Sequence, residues 1–422
     1  MTDIADLVAR RAKLLGPAYR LFYDTPLHLI KGNGVRLEDA DGKQYLDAYN
    51  NVASVGHAHP HVVAAIAAQA AILNTHTRYL HEGVLNYAER LLGKMPAELA
   101  HAMFTCTGSE ANDLAMRIAR QHTGGQGLII TAFAYHGVTD SIAQASPSLG
   151  RYVKLGEAVR TVPAPVQHPG EDATVVGQRF ARHVREAIAD LQSHGIQPAA
   201  LLVDTVFSSD GVFTEPVGFL TLAVDAIRAA GGVFIADEVQ PGFGRLGDSF
   251  WGFERHGIVP DIVTMGKPMG NGHPVAGLAV RPNVLAAFGD QCRYFNTFGG
   301  NPVSMAAANA VLDVIEQEGL QANAHRVGAY LNEGMNQLAH THPAIAAVRA
   351  AGLFMGVALA DDAGLPDGAG AARVVNALRE NGVLLSATGP DGNVLKIRPP
   401  LVFSQANADQ LLNTLDDVLR SV

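Results

Sequence analysis

The spacing of apolar positions changes character several times along the chain. Residues 4–15 carry apolar side chains at helical spacing, and Pro17 ends that segment. From Leu27 to Tyr49 short runs take over: Leu27–Ile30, Val35–Glu38 and Gln44–Leu46. Gly32-Asn33-Gly34 and Asp41-Gly42 separate them, which predicts a strand meander. From Pro60 onward, helical patterns at 60–73, 84–94, 110–121, 178–193 and 219–230 alternate with apolar runs at 102–105, 127–131, 199–203, 232–236, 261–265 and 276–280. Strands alternating with helices at this spacing predict a mostly parallel sheet covered on both faces. After Asn301-Pro302 one long helical pattern reaches about Glu318 and a second covers 321–339. Short elements then return at 353–359, 369–380, 383–386 and 394–397, followed by a terminal helix from about 406. Residues 155–178, rich in Pro, Val, Gly and His, read as the one long irregular stretch.

This pattern describes an α/β protein. A large domain over 56–310 holds the mostly parallel central sheet. A smaller α/β domain over 311–422 packs with an N-terminal segment, 1–55. A length of 422 residues with 48% hydrophobic content provides for about two to three domain equivalents. A net charge of −9 argues against nucleic acid or an anionic membrane as partner. Two cysteines, Cys106 and Cys292, provide no disulfide framework and point to a reducing compartment. Residues 1–20 mix charges among apolar positions and lack a signal-peptide core. The longest apolar stretch, His61 to Leu73, is interrupted by Gln69 and is too short to cross a bilayer. It reads as a buried amphipathic helix, and the chain as cytoplasmic.

The chemistry gathers where apolar runs end. Asp237 closes the run 232–236, and Lys267 lies just past the run 261–265, thirty residues later. Pyridoxal phosphate requires that pairing: an amine to bind its aldehyde covalently and a carboxylate to keep its ring nitrogen protonated. Each residue has a plainer reading, Asp237 as a turn cap and Lys267 as a surface lysine in a glycine-rich loop. Gly266, Gly270 and Gly272 make that loop conformationally unusual. Val239 can pack on one ring face, and Gln240 can reach the phenolic oxygen. Thr107-Gly108-Ser109-Glu110 joins a run to a helix, so Gly108 and Ser109 either cap the helix or present a phosphate site. Tyr135, beside His136, either shields a core edge or stacks on a planar cofactor. Phe295 to Pro302 offers a second hydroxyl and more amides before a helix.

Together Thr107-Gly108-Ser109-Glu110-Ala111, Tyr135-His136-Gly137, Asp237-Glu238-Val239-Gln240, Gly266-Lys267 and Asn296 through Pro302 resemble, in order, the class III aminotransferases, fold-type I pyridoxal phosphate enzymes. That resemblance implies that Gly108 and Ser109 hold the cofactor phosphate, with His136 among the cofactor-binding residues, and that Tyr135 stacks on the ring. Asp237 would pair with the ring nitrogen and Lys267 would bind the aldehyde. Thr297 would reach the cofactor of a neighbouring subunit, which implies a homodimer with shared sites and leaves room for a tetramer built on it.

The segment Lys267-Pro268-Met269-Gly270-Asn271-Gly272-His273-Pro274 is similar, more narrowly, to the ethanolamine-phosphate and phosphohydroxylysine phospho-lyases. So are Asn50-Asn51-Val52-Ala53, Leu73-Asn74-Thr75 with Arg78, and Asn393 through Pro400. Asp204 through Gly211 stands where many transaminases carry a glutamate and a Gln-Gly pair. The resemblance implies a small amine phosphate as substrate, with Arg78, Arg398 and Asn50 as candidates for binding it. Two activities stay open: phosphate elimination, and omega-amine transamination with pyruvate or another keto acid.

Overall fold

The computed structural model describes residues 3–421. Seven strands form the central sheet, in the order His101–Thr105, Ala276–Val280, Ile262–Met265, Val233–Asp237, Pro198–Asp204, Gly127–Thr131, Val159–Val162. Ala276–Val280 runs antiparallel to both its neighbours, and the other pairings of this sheet are parallel. Four of these strands are buried along their whole length, which is why their sequences are continuous apolar runs. Alternate residues still separate by face. Leu201, Val203, Phe234 and Ala236 join the main core, while Ala200, Leu202, Val233 and Ile235 join a second core on the other side.

Two smaller sheets flank this layer. The meander Leu29–Asn33, Arg36–Asp39 and Gln44–Asp47 is antiparallel, and Val383–Leu384 closes it by pairing parallel to Gln44–Asp47. Ile345–Ala351, Phe354–Leu359, Val394–Ile397 and Ser386–Thr388 form an antiparallel sheet. Among the described residues no helix is long and apolar enough to cross a membrane.

Three expectations need correction. The stretch 155–178 is not irregular throughout: Val159–Val162 is the edge strand of the central sheet, and the helix Ala173–Ser193 begins inside the stretch. Ile345–Ala351 and the helix Pro282–Gln291 lie where no element was expected. The helix predicted over 60–73 ends at Ala70, and only Val62 in it is buried. The apolar stretch His61 to Leu73 therefore does not form a buried helix in the single chain. Its surface continues through Ile72 and Leu80, which are 79% and 100% exposed.

Candidate active site

Parallel strands bring their carboxyl ends to one edge of a sheet, where open α/β sheets bind ligands. Here that edge carries Thr105, Thr131, Asp204, Asp237 and Met265. The loops beyond them enclose a cleft of about 340 Å³. The cleft gathers Gly108, Ser109, Tyr135, His136, Asp237, Val239, Gln240 and Lys267, residues spread over 160 positions of sequence (267 − 108 + 1).

One end of the cleft is a helix start. Thr107, not Ser109, is the N-cap of Gly108–Thr123. Its hydroxyl accepts from the Glu110 N–H at 3.2 Å, and Glu110 reaches back to the Thr107 N–H at 2.9 Å. Gly108 and Ser109 therefore sit in the first turn, where N–H groups lack helical partners. The Ser109 hydroxyl accepts from the Val138 N–H at 3.0 Å. A Cβ on Gly137 would fall 2.7 Å from the Ser109 Cα, so glycine is what lets the 135–137 loop close over the helix start.

The acid end is buried and fully organised. Asp237 is 4% exposed. Its Oδ2 accepts from Asn112 Nδ2 at 2.9 Å and pairs with His136 Nδ1 at 2.8 Å, and its Oδ1 accepts from the Val239 N–H at 3.1 Å. The cap role is thus real, but it occupies one oxygen only. The adjacent Glu238 has a structural duty: it accepts from Thr205 and from the Gly252 and Phe253 N–H groups.

Lys267 closes the cleft, its Nζ 6.0 Å from the centre of the Tyr135 ring. Burial first, then the nearby Arg398 charge, push its pKa down to about 8, against the opposing pull of Asp237 and Asp204. An amine so placed is a usable nucleophile and base near neutral pH.

The remaining sequence candidates lie elsewhere. Arg398 is buried behind the cleft wall, where it donates to Gln240 Oε1 and lies 4.6 Å from the centre of the Tyr49 ring. Asn50 lines a separate cavity of about 220 Å³, and its Oδ1 accepts from the Val52 N–H at 3.0 Å. Arg78 and Thr297 are exposed and do not line the cleft of their own chain. They belong to one surface: Arg78 lies 3.8 Å from the centre of the Phe295 ring, and His76 packs edge-on against the same ring.

Residues 22–419 match the aminotransferase class-III family. The chain belongs to that family. It is an enzyme dependent on pyridoxal phosphate, with the α/β fold of fold-type I enzymes. A solved phospholyase from Arthrobacter, in complex with phosphoethanolamine, is 45% identical with a TM-score of 0.96, covering 99% of this chain and 100% of that one. An alanine–glyoxylate aminotransferase 2-like protein of Drosophila melanogaster is 42% identical over 99% of this chain and 87% of the relative. Ethanolamine-phosphate phospho-lyase homolog 1 of Caenorhabditis elegans is 35% identical over 98% and 93%. Relatives with both kinds of name therefore match almost end to end.

The cleft fits the cofactor of this family. It offers a first helical turn whose Gly108 packs directly under Val239, where a Cβ would fall 3.0 Å from the valine methyl, an oriented buried carboxylate and an amine of lowered basicity. Sequence reasoning missed Asn112, which joins four elements by hydrogen bonds. An Asn on the buried face of a helix, one turn after Gly108, was the available signal. It also missed that Asp204 lines the cleft, and that Lys396 is buried beneath it with Nζ donating to the Ser208 carbonyl at 3.0 Å.

Proposed function

We propose that this enzyme eliminates phosphate from a small amino-alkyl phosphate, such as phosphoethanolamine or phosphohydroxylysine, giving aldehyde, ammonia and inorganic phosphate. The observation that carries this reading is the turn after Asp204. A transaminase alternates an amine with a keto acid and uses a glutamate near this position to manage its substrate-binding arginine. In this chain both nearby carboxylates are committed internally. Asp204 accepts from the Val206 and Ser208 N–H groups, and Asp210 accepts from the Thr131 hydroxyl at 2.6 Å and the Phe133 N–H at 3.0 Å. Arg398 is held instead by neutral groups, Gln240 and Tyr49. The likeness to the phosphoethanolamine-bound phospholyase supports the same reading.

Pyridoxal phosphate, when bound, supplies an electron-accepting ring that acidifies the C–H bond beside the substrate nitrogen. Gly108 and Ser109 would hold its phosphate, Tyr135 and Val239 would pack on its ring, with His136 beside Tyr135, and Gln240 would reach the phenolic oxygen. Asp237 would keep the ring nitrogen protonated. Lys267 removes the proton from the carbon bearing the nitrogen. The neighbouring C–O bond then breaks, and phosphate departs with its electrons. The enamine left behind takes up water and yields aldehyde and ammonia, so no acceptor is consumed.

The departing phosphate needs cationic donors. Arg398 is committed to Gln240, and Asn50 lines a separate cavity, which leaves Arg78 the stronger candidate. Because Arg78 and Thr297 share an exposed surface and line no part of their own chain's cleft, we assign both to the cleft of a second copy. The exposed apolar residues around 63–85 support a homodimer in which that surface is covered. Purified holoenzyme given phosphoethanolamine without a keto acid should release phosphate and ammonia in equal amounts. Brisk pyruvate-dependent amine conversion with no phosphate release would establish the omega-aminotransferase in its place.

A further inference from the structure

Asn112 is 1% exposed and makes an unusual set of contacts. Its Nδ2 donates to both the His136 carbonyl at 2.7 Å and Asp237 Oδ2 at 2.9 Å. Its Oδ1 accepts from the Thr264 hydroxyl at 2.6 Å, and Thr264 is itself fully buried. Two acceptors facing the amide nitrogen fix which way the side chain points. One side chain thus ties together the helix that starts at the phosphate end, the Tyr135–Gly137 loop, the strand ending at Asp237 and the strand that leads to Lys267. Asp237 Oδ2, already facing His136, has both lone pairs engaged. Oδ1 accepts only the Val239 N–H and keeps one free.

We propose that Asn112 is a positioning residue, braced by Thr264, that holds the Asp237 carboxylate turned so that Oδ1 receives the cofactor ring N–H. This inference rests on the assignment of Asp237 and Lys267 above. A buried network acts as a unit rather than as separate pairs. Thr264 therefore works only through Asn112.

The test uses holoenzyme loaded with cofactor labelled with nitrogen-15 in its ring, together with steady-state kinetics. Asn112→Leu should move the ring resonance towards the unprotonated position and lower kcat about ten-fold, while KM stays within about two-fold. Thr264→Val should move both in the same direction by less, and should add nothing in the Asn112→Leu background. If Asn112→Leu does not fold, Thr264→Val alone carries the test. An unmoved resonance in both variants, while Asp237→Asn moves it, makes Asn112 an ordinary core amide and overturns the inference. If Asp237→Asn also leaves the resonance in place, the assignment of Asp237 itself has failed.

Discussion

Two regions of this chain hold the residues that its family likeness marks out, and they are built in opposite ways. At the carboxyl edge of the central sheet, Asp237, Asn112, His136 and Lys267 are enclosed, and the first three are joined by hydrogen bonds of 2.7–2.9 Å. On the surface around residues 63–85 and 295–298, Arg78 and Thr297 stand among apolar side chains open to solvent, and Phe298 is 68% exposed. The first region is complete within one chain. The second does not line the cleft of its own chain. One chain thus builds the cofactor half of a site and, in our reading, offers a phosphate-recognising half to its neighbour.

The largest effects should come from the enclosed region. Lys267→Ala removes both the covalent anchor and the base, so phosphate release should fall by about 10⁴-fold or more while the melting temperature of the apoenzyme barely changes. Near-normal turnover would place the chemistry elsewhere. Asp237→Asn keeps the shape of the site but cannot hold the ring nitrogen charged. About 10²–10³-fold is then expected to be lost from kcat, with cofactor still bound in the visible spectrum. Unchanged kcat would reduce Asp237 to the turn cap that its bond to Val239 also makes it.

The exposed region should respond more gently and in a different parameter. Arg78→Ala removes one charge-assisted donor worth about 1.5–3 kcal/mol, a loss of about 10–100-fold in kcat/KM. The loss should fall mainly on KM, and should be larger for a phosphorylated amine than for a plain one. Equal losses for both substrates would return Arg78 to its stacking on Phe295.

The smallest effect sharpens the first region. Lys267 is held down to about 8 by burial and by Arg398, so its amine is neutral above that pH. The rate at which apoenzyme captures added pyridoxal phosphate should rise with pH and level off above about 8, well short of the ordinary lysine value of about 10.4. Arg398→Met removes a repelling charge and should move that inflection upward. An inflection near 10 in the parent enzyme would show Lys267 to be an unperturbed surface amine.

The enclosed region was legible in the sequence because buried strands leave continuous apolar runs, and the residues closing them stand out. Asp237 and Lys267 were found that way. Asn112 was not: Ala115, Met116 and Ala119 mark its face of the helix as inward, but a single amide there does not say which buried groups it bonds. Val159–Val162 was hidden because it is a short edge strand with Arg160 and Thr161 inside it. Ile345–Ala351 was hidden because four of its seven residues are alanine, which favours no strand. The direction of Ala276–Val280 left no mark at all, because burial on both faces looks alike in either orientation. The exposed region misled for a physical reason: an apolar helix reads as buried all round, and here one side of it packs on the helix Pro302–Gln317 while Val63 on the other stays open to solvent.

One measurement bears most directly on a phosphate-eliminating site divided between two chains. Lys267→Ala and Arg78→Ala chains, carrying different tags, are co-expressed, and the mixed species is purified through both tags. In that species one cleft pairs an intact Lys267 with the intact Arg78 of the other chain. It should release phosphate from phosphoethanolamine, without any keto acid, at a low substrate concentration where each variant alone is far slower. If the mixed species is no faster than the Arg78→Ala enzyme, each chain works with its own residues and the division is wrong. If no species, the parent included, releases phosphate, the elimination itself is wrong.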